Sequence, residues 1–129
     1  MAITLTTAAR NAAADAIVDL IDAGASAGTI ELKSAASTVA GTNEVATLTF
    51  SDPAFGAAAS GTATASPITD DTNATGGTAS DFTIFDSDSN AVLQGSVGTS
   101  GSDLNMSSVA IGAGDTVSIT SFTLTMPAS

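Results

Sequence analysis

A chain of 129 residues with 13 acidic side chains against two basic ones, Arg10 and Lys33, carries a formal charge of −11, which argues against binding nucleic acid or an anionic membrane through surface electrostatics. It has no Cys, His, Trp or Tyr, so a disulfide framework, a thiolate metal site and a cysteine nucleophile are excluded, and little is left to complete an acid/base set; neither enzymatic activity nor a cofactor is expected. The length suits one domain, 1–129. Its core must come from Val, Ile, Leu, Met and five Phe, thin enough that oligomerisation or docking on a larger body would supply the missing burial.

At the start, Ile3 and Leu5 alternate with Ala2 and Thr4, so residues 1–5 suit a short extended arm, tucked beside a sheet or offered to a neighbour. No basic region followed by an apolar one opens the chain, and no apolar run approaches a membrane span; synthesis in a cytoplasm without export by the usual secretory route is expected.

Residues 6–24 read as the one helix. Ala9, Ala13, Ile17, Leu20 and Ile21 recur at three- and four-residue steps and make an apolar face, with Ala16 and Gly24 beside them. Asn11, Asp15, Asp19 and Asp22 fall on the opposite side. Thr6 or Thr7 can accept the orphan N–H groups at the start, and Gly24 suits the left-handed residue just past the end. Negative charge in the C-terminal half opposes the helix dipole, so Asp15 and Asp19 are expected to be solvated or to meet a partner chain.

From residue 29 to 126 the pattern is of short strands and turns. Residues 29–33 alternate with Ile30 and Leu32 inward, which points Lys33 the other way in a regular strand; 34–43 is a small, polar loop. In 44–50, Ala46, Leu48 and Phe50 share one face while Val45, Thr47 and Thr49 share the other. The turn SDPAFG at 51–56 holds one large apolar side chain, Phe55, which either plugs the edge of the core or is an exposed anchor for another subunit. A weak Ala/Thr strand follows at 61–66. Residues 67–80 then form a loop long enough to suggest function or mobility.

Residues 81–86 and 91–97 flank the turn Ser87-Asp-Ser-Asn90, the clearest hairpin in the chain. Leu104 and Met106 mark a short strand, and 112–115 turns the chain into its last one, 116–126. There Val117 and Ile119 keep one phase, whereas Phe122, Leu124 and Met126 keep the other. Both sets cannot lie on one face of a regular strand, so a bulge, a bend or a passage between sheets is expected near Thr120-Ser121. About eight short strands with Gly-rich turns predict an antiparallel β-sandwich, jelly-roll-like, over 29–126 with the helix packed on it.

Chemical motifs are few. Asp86-Ser-Asp-Ser-Asn90 copies the first ligand positions of a calcium loop, making Asp86, Asp88 and Asn90 the candidate metal ligands. Ala91 stands where the tight turn wants Gly, and Val97 where a bidentate Glu belongs. A solvated hairpin tip explains the same residues, because Asp, Ser and Asn are what turns use. Asp70 and Asp71 are adjacent carboxylates, which in extended chain point apart.

Four segments, LTTAARNAAADAIVDLIDAGASAGTIEL, ATLTFSDPAFGAAASGTATA, DFTIFDSDSNAVLQGSVGTSGSDLN and GDTVSITSFTLTMP, are spread from residue 5 to residue 127, and in this order the sequence resembles a family of small virion proteins of tailed bacteriophages. The resemblance is to head decoration or head-fibre proteins and implies no catalytic residues. It implies a place on the outer surface of the head, with the major capsid protein and further copies of the chain itself as partners, commonly as a trimer. The expected interface residues are Ile3, Leu5, Phe55, Asp15 and Asp19. A tail or fibre component and a calcium-dependent binding module are the alternative readings.

Overall fold

The computed structural model describes residues 3–128, so Met1 and Ala2 of the expected arm lie outside the described residues. Period-two alternation becomes strand over 29–33, 44–49 and 81–85, the single 3.6-period stretch becomes helix, and of the expected last strand 116–126 only 123–125 is strand. The helix α1 spans Thr7–Ile21, and nine strands follow: β1 Thr29–Lys33, β2 Glu44–Thr49, β3 Thr62–Thr64, β4 Gly77–Thr78, β5 Asp81–Phe85, β6 Ala91–Gly98, β7 Leu104–Asn105, β8 Ala110–Ile111 and β9 Thr123–Thr125. The domain is therefore mainly β with one helix. Its pairing is mixed: a five-stranded sheet runs β2-β1-β5-β6-β7, with β7 parallel to β6, and two separate ribbons pair β3 with β9 and β4 with β8.

Register explains the core. Ile30 of β1 stands between Leu48 and Ile84, and Leu32 between Ala46 and Phe82, so one sheet face is a continuous apolar row. Phe122 meets the Phe82 ring edge-on at 5.5 Å; Phe55 lies 6.1 Å from Phe122 and 5.7 Å from Phe50. Phe55 is buried in this chain of rings and is not an exposed anchor, which corrects its place among the expected interface residues.

The helix face also needs correcting. Ala14, Val18 and Ile21 are the buried positions, whereas Leu20 is 55% exposed and Ala9 lies in solvent; the helix is turned by about 100° from the face its spacing predicts. Hydrogen bonding supplies the cause. Asn11, Asp15 and Asp22 fall within about 40° of one another on the helix. Their Oδ1 atoms accept from the backbone N–H groups of Gly61 (2.7 Å), Ala58 (2.8 Å) and Ala54 (2.8 Å). Residues 54–61 run antiparallel to the helix outside any strand ladder, apart from bridges at Phe55 and Ala59, so these donors need side-chain acceptors. Asp15 is thus committed within the chain; Asp19 stays exposed.

The helix starts where the sequence places it and stops short of the expected residue 24. Thr6 Oγ1 accepts from Ala9 N at 3.2 Å, Asp22 caps the last turn after Ile21, and Gly24, two residues beyond that cap, has φ +100°. Arg10 donates from Nε to the Met126 carbonyl at 2.8 Å, and Leu5 N donates to the Ala128 carbonyl at 2.6 Å, so residues 126–128 lie beside the helix start.

The long segment 67–80 is laced onto the edge of β2. Thr69 and Thr49 exchange both backbone bonds, Gly76 N donates to Val45 O, and the Asp71 carboxylate accepts from Thr47 N at 2.8 Å. Covering an edge in this way blocks strand pairing with other chains there.

Candidate functional site

Three places bring polar chemistry together. The first is the face of β1 opposite the core. Lys33 does point away from Ile30 and Leu32, yet it is fully buried, because the loop 34–43 folds over it. Its Nζ donates to Glu31 Oε1 at 2.9 Å and to the carbonyls of Thr42 (2.8 Å) and Val39 (3.1 Å), which uses all three ammonium protons. Nζ also stands 5.4 Å from the centre of the Phe85 ring. Glu31 accepts in turn from Gly41 N at 3.0 Å, and Thr83 Oγ1 donates to Ser37 O at 2.8 Å. The sequence signal for this was Glu31 and Lys33 on one strand face ahead of a small-residue loop. With every donor satisfied, the cluster is a clamp for the loop, with no free group for chemistry.

The second is the hairpin tip. Asp86 Oδ1 accepts from the backbone N–H groups of Asp88 and Asn90, each at 2.9 Å, and Oδ2 accepts from Asn90 Nδ2 at 3.0 Å. Both carboxylate oxygens therefore shape the turn. Asp88 and Asn90 are exposed around it, and no cluster of three or more His, Cys, Asp or Glu able to hold a metal occurs among the described residues. The Asn90 backbone N–H, then its side-chain amide, hold the Asp86 carboxyl below its ordinary value of 3.8. A depressed folded value means that the turn's contribution to stability is present above pH 3.8 and is lost as pH falls through the lower, folded value. The Tm difference between wild type and Asp86→Asn is accordingly expected to narrow in thermal scans taken below that pH. Calcium or a chelator is expected to leave the wild-type Tm unchanged; a rise of several degrees with calcium would restore the ion-binding reading.

The third is an opening between the last strand region and residues 65–71. Val117 exchanges both backbone hydrogen bonds with Asp71 (3.0 and 2.7 Å), and Ala65 N donates to Phe122 O at 2.9 Å. Five residue steps separate Val117 from Phe122, but six separate Ala65 from Asp71. Successive residues direct their backbone groups to opposite edges of a strand, so Val117 and Phe122 can face the same neighbour only if the chain slips between them. This is the slip that the two hydrophobic phases predict.

Between the two closing bridges the segments part. No backbone hydrogen bond joins Ser118, Ile119, Thr120 or Ser121 to another described residue, while Ser66 and Thr69 bond to Ala54 and Thr49 on their far side. The resulting cleft is about 490 Å³, with Ile119 and Phe122 buried against its floor and Asp70 at its rim. A second groove of about 300 Å³ separates 118–121 from residues 104–107. Asp71 points the other way, into the β2 edge, so the adjacent carboxylates do diverge.

Of the remaining expected interface residues, Ile3 is 85% exposed and Leu5 is 39% exposed, both ahead of α1 and outside any helix, strand or turn. Among the described residues no helix is long and apolar enough to cross a membrane. Compared with protein families, with curated proteins and with solved structures, the chain matches none.

Proposed function

We propose that this chain is a decoration, or cement, protein of a tailed-bacteriophage head, binding the outer surface at joints between major capsid subunits and associating with copies of itself, as a trimer. One observation supports this most: an uncharged segment ahead of the helix presents Ile3 and Leu5 to solvent on a molecule of charge −11. Isolated exposed apolar residues are ordinary, but an alternating pair at the end of an extended segment is the pattern that strand addition uses. The resemblance of the four quoted segments points the same way, as do the small-residue core and the commitment of the buried charges to holding loops. Cementing would act by mass action and buried area, since contacts across a joint must be lost before the shell can open. With this reading goes the finer architecture, a jelly-roll-like antiparallel sandwich.

The test is a comparison of complete particles with particles lacking the protein. Loss of thermal and osmotic stability, with lattice-arranged density for the protein on the head, is the expected result. Unchanged stability and no such density would overturn the proposal, and a few axial copies would instead assign a tail or fibre component.

A further inference from the structure

We infer that the opened seam at 118–121 is the acceptor for the arm of a second copy of this chain, with residues 3–6 of one molecule adding as a strand along Ser118–Ser121 of the next. This goes beyond the proposed function and stands whether or not the chain belongs to a capsid.

The acceptor is short of partners in a specific way. Backbone outside helix, turn and ladder, with N–H and C=O groups not bonded to any described residue and lying between two grooves, is a template for β-augmentation. Its length is four residues, about 13 Å of strand. The cleft also has an apolar floor at Ile119 and Phe122, which alternate side chains of a guest strand can cover.

The donor is found by elimination. The exposed large hydrophobic side chains among the described residues are Ile3, Leu5, Leu20 and Val39. Leu20 sits on the helix and Val39 in the turn that caps Lys33, so Ile3 and Leu5 alone lie outside helix and turn. Thr6, between them and the helix, is extended, with φ −67° and ψ 161°. Charge is compatible: Asp70 stands at the rim of the cleft, and residues 3–9 carry no acidic side chain to repel it. The donor must be another molecule, because Ile3 in its own chain is 85% exposed and therefore not seated in a groove. Arm into seam is a head-to-tail contact, and such contacts close into rings where the rotation permits, which is how a trimer would arise.

Because the chain has no cysteine, single-cysteine variants report the contact directly. Ile3→Cys and Thr120→Cys proteins, both full length, are mixed under mild oxidation. A disulfide-linked heterodimer is expected, with much less product when Val39→Cys replaces Ile3→Cys. In parallel, sedimentation of the wild-type chain is expected to show an oligomer. Its dissociation constant should rise roughly tenfold or more in Ile3→Asp, which places a charge on the arm, and in Thr120→Pro, which removes an N–H. Ile3 and Thr120 are both exposed, so Tm at concentrations where the chain is monomeric should not change. A wild-type chain that stays monomeric, an oligomer that neither variant weakens, or equal cross-linking from Val39→Cys would each overturn the inference.

Discussion

Replacing Gly28 with Ala is expected to destabilise the fold by about 3 kcal/mol, lowering Tm by ~10 °C. The added Cβ would lie 2.5 Å from the Phe85 carbonyl oxygen, 2.6 Å from Ile21 Cγ2 and 2.8 Å from the Ile21 carbonyl oxygen. Two of these neighbours are backbone. Relief cannot come from Gly28 moving away, because its own carbonyl accepts from Phe50 N at 3.0 Å and the next residue begins β1. Glycine is required here by close approach of the helix end to the sheet, not by backbone conformation. Gly56→Ala is the control, since nothing lies within 4 Å of its added Cβ. Urea unfolding of the two variants measures the difference, and equal midpoints would show that the junction of α1, β1 and β5 yields more easily than its distances imply.

Lys33→Ala is expected to cost about 3–5 kcal/mol, the range for removing one partner of a buried ion pair, because Glu31 would be left without its cation under the 34–43 loop. That is a large part of the stability of an ordinary domain. The loss has two origins: the Glu31 carboxylate becomes an uncompensated charge, and the Val39 and Thr42 carbonyls lose their donor. A double replacement, Glu31→Leu with Lys33→Met, removes both charges and is expected to recover the part of the loss that comes from the uncompensated carboxylate, while the Val39 and Thr42 carbonyls stay without their donor. A double-mutant cycle read by thermal unfolding gives the coupling, and amide exchange at Gly41, which donates to Glu31, should quicken in the single variant. Additive effects would show that the pair does not hold the loop.

The elements legible from the residues were those decided by near neighbours. Ile30 and Leu32, Ala46 and Leu48, and Phe82 and Ile84 announce their strands by alternation, and the Ser87–Asn90 turn announces the hairpin that joins β5 to β6. Thr6 and Gly24 mark the helix ends because capping is a local hydrogen-bonding problem. The change of phase after Ile119 foretold the slip between Val117 and Phe122. It did not foretell that the slip would open a cleft, because that depends on residues 65–71 running one step longer between the same two bridges.

By itself, then, the sequence determined a mainly β chain with one helix and an acidic surface without thiol or imidazole chemistry. Tertiary structure decided which face of the helix is buried. In so Ala-rich a helix, Ala13, Ile17 and Leu20 compete almost evenly with Ala14, Val18 and Ile21, and the unpaired N–H groups of Ala54, Ala58 and Gly61 settle the matter by drawing Asp22, Asp15 and Asn11 toward them. It also decided that Lys33 is covered, that Phe55 joins the core and that 67–80 is tied to a strand edge. In each case the deciding partner is remote in sequence: hydrophobic spacing carries the period of an element, while the acceptors and donors that orient it come from elsewhere in the fold.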